Sequence, residues 1–162
     1  MSRGLALAAA MVAVASISGC GGSTGTSKQD FVTKANKICA EGNQAVEGVA
    51  KQISAAQRAS KASEVYRRVA ALTKKAAATS DPYIDRLDAL DTPSGDRDQL
   101  KAWVASVRQQ ETKLNELGTA FAKRQPAKIA RLSEQIDTLD QKNNLFAKGY
   151  GMSDCATSVT NQ

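Results

Sequence analysis

The stretch from Ser27 to Ile53 reads SKQDFVTKANKICAEGNQAVEGVAKQI, and its apolar residues recur at intervals of three and four. This spacing places them on one face of an α-helix, because the helix repeats about every 3.6 residues. The opening Ser27-Lys28-Gln29-Asp30 indicates a helix N-cap. We therefore predict a first helix that begins at Ser27 and fades near Gln57. Its apolar stripe consists of Phe31, Ala35, Ile38, Gly42, Ala45, Val49 and Ile53.

Three further segments show the same periodicity, and we expect helices from about Lys61, from Asp96 with Gln99 as its capping partner, and from Pro126. The stripe of the second helix is Val65, Val69, Leu72, Ala76, Tyr83, Leu87 and Leu90. The stripe of the third helix is Leu100, Trp103, Val107, Gln110, Leu114, Leu117 and Phe121. The stripe of the fourth helix is Ile129, Leu132, Ile136, Leu139, Asn143, Phe146 and Tyr150. No strand-like alternation occurs. The fold class predicted for residues 28–162 is all-α, an antiparallel up-down-up-down four-helix bundle.

Two positions interrupt this pattern. Pro82 lies inside helix two, where it removes a hydrogen bond, so we expect a kink or a restart near Ser80. The apolar register continues across it, which favours a kink. Asn143 stands where an apolar residue belongs, and it either fixes helix register, is partly exposed, or lines a ligand pocket. Trp103 lies on its stripe, which favours a core role over a ligand platform.

The N-terminus has the three parts of a signal peptide, spanning residues 1–19: a basic start, an apolar run from Leu5 to Ile17, and small residues before Cys20. Ile17-Ser18-Gly19-Cys20 resembles a bacterial lipobox, although Leu is usual where Ile17 stands. This resemblance implies that Cys20 carries diacylglyceryl, with palmitate-type chains that anchor the protein to the membrane. Residues 20–27, rich in Gly, Ser and Thr, would form a flexible tether. The alternative is an ordinary secretory leader with a chance cysteine.

Lipidation of Cys20 would leave Cys39 and Cys155 as a pair. Outside the cytoplasmic membrane such a pair is expected to oxidise. The tail after Tyr150 can reach Cys39 only if the first and fourth helices are antiparallel neighbours. We therefore predict a structural disulfide. The alternative, a redox-active or metal-binding thiol, lacks a C-x-x-C spacing.

The sequence contains no histidine, which removes the commonest general base and the usual zinc and haem ligand. It also contains no phosphate-binding loop and no dinucleotide-binding fingerprint. We predict no cofactor, no metal and no enzymatic activity. One cluster of aspartates could alternatively form a calcium site. Its spacing does not match an EF-hand loop, which favours helix capping in a solvated loop. It comprises Asp85, Asp88, Asp91, Asp96 and Asp98.

The chain has a formal net charge of +6, and the bundle topology separates the charges by end. The basic end carries Lys51, Arg58, Lys61, Arg67, Arg68, Lys123, Arg124, Lys128 and Arg131. The candidate surface for an anionic partner comprises Arg58, Lys61, Arg67, Arg68, Lys123, Arg124 and Lys128. The aspartate cluster, Asp30 and Asp154 share the opposite end, from which the tether leaves. An anionic envelope polymer or an acidic protein is the expected partner, and nucleic acid is not. The alternative is a set of solubilising charges.

Three segments, together with the lipobox, resemble the small uncharacterised lipoproteins of actinobacteria. They are Lys34-Ala35-Asn36-Lys37-Ile38-Cys39, Leu90-Asp91-Thr92-Pro93 and Tyr150-Gly151-Met152-Ser153-Asp154-Cys155. The resemblance implies an envelope location and a helical fold, and it supplies no catalytic or binding residues.

The sequence as a whole predicts a binding module that is anchored to the cell membrane on its extracytoplasmic face. The alternative is a small-ligand or sensory bundle with a cavity between its helices. Small residues on the stripes permit close packing, which argues against a large cavity. They are Ala35, Gly42, Ala45 and Ala76.

Overall fold

The computed structural model describes residues 25–58 and 61–156, so the predictions for the leader, for lipidation of Cys20 and for the tether up to residue 24 lie outside the described residues. The elements are α1 (Lys28–Arg58), α2 (Ala62–Asp88), α3 (Arg97–Ala122), α4 (Pro126–Tyr150) and a 3-10 helix (Ser153–Ala156). No residue in the described ranges belongs to a β-strand. Each helix packs against the next in the chain. The predicted all-α four-helix bundle is confirmed.

Local chemistry explains where the helices begin. The Ser27 hydroxyl accepts a hydrogen bond from the Asp30 backbone N–H at 3.1 Å and donates one to the Asp30 carboxylate at 2.7 Å. This confirms the predicted N-cap of α1. At the start of α3, the Asp96 carboxylate makes no bond to the helix backbone. It accepts hydrogen bonds from Gln99 and from the Tyr150 hydroxyl, both at 2.6 Å.

The helix α2 runs without interruption through Pro82, so the restart that was one expectation for this position does not occur. Two hydroxyls in the preceding turn donate to carbonyl oxygens four residues back. Thr79 donates to Lys75 at 2.8 Å, and Ser80 donates to Ala76 at 2.9 Å. The continuous apolar register of helix two therefore corresponds to one continuous helix.

The end of α4 turns the chain back into the core. Gly151 adopts a φ of 100°, a left-handed conformation that glycine reaches without a steric penalty. The Met152 backbone N–H donates to the Ala147 carbonyl at 2.8 Å, and the Met152 side chain is completely buried. This turn directs the 3-10 helix towards α1.

The 3-10 helix joins the last helix to the first. Cys155 forms a disulfide with Cys39 of α1, with their Cα atoms 5.0 Å apart, which confirms the predicted bond. The Asp154 backbone N–H donates to Asn36 at 3.0 Å, and Asn43 donates to the Asp154 carbonyl at 2.8 Å. We call this end of the bundle the disulfide end.

The core is largest at the disulfide end, where all four helices contribute to one apolar cluster. Its buried members are Phe31, Ala35, Ile38, Ile84, Leu87, Leu100, Trp103, Val104, Ala147, Tyr150 and Met152. A second cluster contains residues of α3 and α4 alone, with Leu117, Ala120, Leu132 and Ile136 as its buried members. Both clusters and the disulfide lie between residues 27 and 156, so this part of the chain contains the interactions that fold the bundle.

The helices α2 and α3 approach each other closely at Gly118. A Cβ atom at this position would lie 2.8 Å from the Lys74 Cγ atom and 3.0 Å from the Ala70 carbonyl oxygen. Both distances are shorter than ordinary van der Waals contacts. The absence of a side chain at Gly118 therefore sets the separation of the two central helices.

Replacing Cys39 and Cys155 together with serine should lower the free energy of unfolding by about 3–5 kcal/mol, because the bond closes a loop with a sequence separation of 116. Urea denaturation of the chain from residue 25 to 162 would measure this loss. Reduction of the unmodified chain should produce the same shift. Equal midpoints with and without the bond would contradict the prediction.

Gly118→Ala should destabilise the protein, because the added methyl group meets backbone at Ala70. Gly48→Ala is the matched control, since nothing lies within 4 Å of a Cβ there and alanine favours helix. We expect the Gly118 variant to be at least about 1 kcal/mol less stable than the Gly48 variant in urea denaturation. Equal stability of the two variants would exclude the close approach of α2 and α3.

Candidate functional site

A groove of about 500 Å³ lies between the first turns of α2 and the end of α3, at the end of the bundle away from the disulfide. We call it the distal groove. Its lining residues are Lys61, Ser63, Glu64, Tyr66, Arg67, Ala70, Ala122 and Arg124. Three of the basic residues predicted from the sequence, Lys61, Arg67 and Arg124, therefore meet in one concave surface.

These three cations differ from their neighbour Arg68 in their pairing. Among the described residues, Lys61, Arg67 and Arg124 have no carboxylate oxygen within 4.0 Å. Arg68 instead forms an ion pair with Glu64 at 2.8 Å, one helical turn away. The distal groove thus presents three basic side chains that form no ion pair in the described part of the chain, while Glu64 in the same lining is paired with Arg68.

Arg124 has an unusual backbone conformation. Its φ is 52°, the only positive value for a non-glycine residue in the described part of the chain. The Arg124 backbone N–H donates to the Phe121 carbonyl, and the Gln125 N–H donates to the Ala120 carbonyl, both at 3.0 Å. This is the turn that commonly ends a helix with glycine. Arginine in its place carries a steric cost and brings a cation to the groove.

An aromatic side chain forms part of the groove wall. Tyr66 is half-buried, and its ring centroid lies 6.1 Å from that of Phe121, with the ring planes inclined by 50°. Ala70 and Ala122 add apolar surface. Tyr66, Ser63 and Glu64 were not among the site residues predicted from the sequence. Tyr66 could have been recognised in the sequence as an aromatic residue that directly precedes the Arg67-Arg68 pair.

The remaining residues of the predicted basic surface lie around this end without lining the distal groove. Arg58 ends α1, while Lys123 and Lys128 flank the turn between α3 and α4. Lys51 forms an ion pair with Glu47 at 2.5 Å. The structure therefore narrows the broad basic surface to a smaller set of converging side chains.

Three aspartates of the predicted cluster, Asp85, Asp88 and Asp96, bond to neighbouring side chains. Arg108 pairs with Asp85 at 2.6 Å, with Asp88 at 3.4 Å and with Asp81 at 3.8 Å. Asp96 bonds Tyr150, where burial and this hydrogen bond raise the pKa of the Tyr150 hydroxyl above its usual range. No group of three or more residues that could hold a metal occurs in the described ranges.

Asn143 lies in the interface between α3 and α4, and only 5% of its surface is exposed to solvent. Its amide donates to the Gln110 side chain at 3.0 Å, and Gln110 donates to Asp140 at 3.2 Å. Three buried side-chain atoms of α3 and α4, Trp103 Nε1, Ser106 Oγ and Asn143 Oδ1, have no hydrogen-bond partner among the described residues. The polar layer lies between the two apolar clusters and pairs specific residues of α3 with α4, as a register-fixing residue would.

The chain matches no protein-family model, no curated protein and no solved structure. Within the described ranges, no helix has both the length and the apolar character needed to cross a membrane. The functional inference therefore depends on the geometry of this chain.

Arg124→Gly should increase the free energy of unfolding by roughly 0.5–1 kcal/mol, because glycine adopts a positive φ without a clash. Lys123→Gly is the matched control at the adjacent position, where φ is −88° and glycine only adds flexibility. Urea denaturation should show opposite shifts for the two variants. A loss of stability in both would contradict strain at Arg124.

Proposed function

We propose that this protein is a lipid-anchored module on the extracytoplasmic face of the cell membrane, and that it binds an anionic component of the cell envelope through the distal groove. One observation carries the proposal: Lys61, Arg67 and Arg124 line one concave surface, and within the described ranges none of the three forms an ion pair, while Glu64 in the same lining is paired with Arg68. Like charges that are gathered on one concave surface attract anions more strongly than the same charges spread over the protein, because their potentials add.

The lipobox sequence Ile17-Ser18-Gly19-Cys20 supports the anchored location. The disulfide supports it as well, since stable structural disulfides are rare in reducing compartments. The helix α1 begins at the disulfide end, and the distal groove lies at the other end. A chain anchored through Cys20 would thus hold its disulfide end towards the bilayer and present the groove to the envelope.

The conformation of Arg124 gives independent support. A residue that only solubilised the surface could be replaced by glycine with a gain in stability, because the turn favours a left-handed residue. Retaining arginine there sacrifices some stability for a cation at the groove. Backbone strain of this kind is concentrated at functional sites in proteins.

The double variant Arg67→Glu with Arg124→Glu should lose at least about tenfold in affinity for purified cell envelopes, because two attractive charges become repulsive. Co-sedimentation of the chain from residue 25 to 162 would measure this at low and high salt. High salt should abolish binding of the unmodified chain, since it screens these contacts.

Two further variants separate charge at the groove from other effects. Lys34→Glu with Lys37→Glu makes the same change in net charge on exposed positions of α1 at the disulfide end, and it should leave binding nearly unchanged. Arg124→Gly should weaken binding even though it stabilises the fold. Equal loss of binding in both charge-reversal variants, or full binding by the Arg67 and Arg124 variant, would contradict a role for the distal groove.

A further inference from the structure

We infer that the ligand of the distal groove is a segment of an anionic glycan, in which a sugar ring packs against Tyr66 while its carboxylate or phosphate is bound by Arg67 and Arg124. This inference rests on the proposed function and specifies the chemistry of the ligand. It follows from the groove residues that carry no positive charge. Basic side chains account for the attraction of an anion, and the distal groove also contains an aromatic residue, a serine and a glutamate.

Tyr66 provides the first argument. Tyr66 lines the groove, and its ring packs against Phe121 at 6.1 Å between centroids. A sugar ring has an apolar face of C–H groups, and covering a fixed, half-buried tyrosine with that face removes apolar surface of both from water. Ala70 and Ala122 extend this apolar surface. An extended acidic peptide or polyphosphate has no ring of this kind to place there.

Glu64 provides the second argument. Glu64 lines the groove, and its carboxylate forms an ion pair with Arg68 at 2.8 Å. A carboxylate repels a bare anion, but it accepts hydrogen bonds from hydroxyl groups. Together with the Ser63 hydroxyl, it forms a polar side of the groove that suits the hydroxyl groups of a sugar. A ligand that carries both anionic groups and hydroxyls matches every polar residue in the lining.

The size of the groove provides the third argument. Its volume of about 500 Å³ lies within the range of sites that enclose small molecules, roughly 300–1,000 Å³. Recognition of a folded acidic protein normally uses a broad interface of about 800 Å² on each partner. A concave groove of this size fits one or a few ring-sized units of a polymer better than a protein surface.

Isothermal titration calorimetry on the chain from residue 25 to 162 tests this with three probes of matched length. They are a polygalacturonate oligomer, which has rings and carboxylates; polyglutamate, which has carboxylates alone; and a neutral galactan oligomer, which has rings alone. We expect polygalacturonate to bind about tenfold more tightly than polyglutamate, because only it contacts Tyr66. The neutral galactan should not bind measurably.

Tyr66→Leu keeps apolar contact with Phe121 but removes the ring, and it should reduce the affinity for polygalacturonate about tenfold while leaving that for polyglutamate unchanged. Tyr83→Leu is the matched control, because Tyr83 is half-buried against Gly42 between α1 and α2 and does not line the groove. It should leave both affinities unchanged.

The inference is overturned if polygalacturonate does not bind, if polyglutamate binds as tightly, or if Tyr66→Leu leaves the affinity for polygalacturonate unchanged. Each of these results leaves the proposed function standing when Arg67→Glu with Arg124→Glu still releases the protein from envelopes. If that variant remains bound to envelopes, the proposed function fails, whatever the calorimetry shows.

Discussion

The disulfide between Cys39 and Cys155 connects the 3-10 helix that follows α4 to the first helix, and it thereby closes the bundle. The left-handed turn at Gly151 and the buried Met152 bring the tail into position for this bond. All four helices share one core at this end, whereas the second apolar cluster contains only α3 and α4. The larger apolar cluster and the disulfide thus lie at the same end of the bundle, and the distal groove lies at the other.

The four helices could be predicted because their stripes follow the helical period and their boundaries carry ordinary signals, such as Ser27 and Pro126. The second buried face of α2 could not be predicted from the sequence. Ala70 and Ala77 are buried beside the predicted Val69 and Ala76, because α2 packs against both α1 and α3. Alanine is compatible with exposed and buried helix faces, so its periodicity does not reveal which neighbour it contacts.

The position of the candidate site could be predicted in part. Topology alone gathers Lys61, Arg67 and Arg124 at one end, because consecutive helices alternate in direction. Their convergence on a groove depends on the approach of α2 to α3, which the stripes do not encode. The pairing of Glu64 with Arg68 and the positive φ of Arg124 are also tertiary properties. A left-handed turn at the end of a helix usually contains glycine, and no glycine follows α3, so this turn could not be recognised from the sequence.

Hydrogen–deuterium exchange of the chain from residue 25 to 162, with and without purified cell envelopes, would locate the surface that binds the envelope without altering a residue. Binding at the distal groove should slow exchange in the segments 61–70 and 120–126, which surround the lining residues. The segment 31–38 at the disulfide end should exchange at the same rate in both samples. Protection centred on the disulfide end, or no protection in either groove segment, would contradict the account.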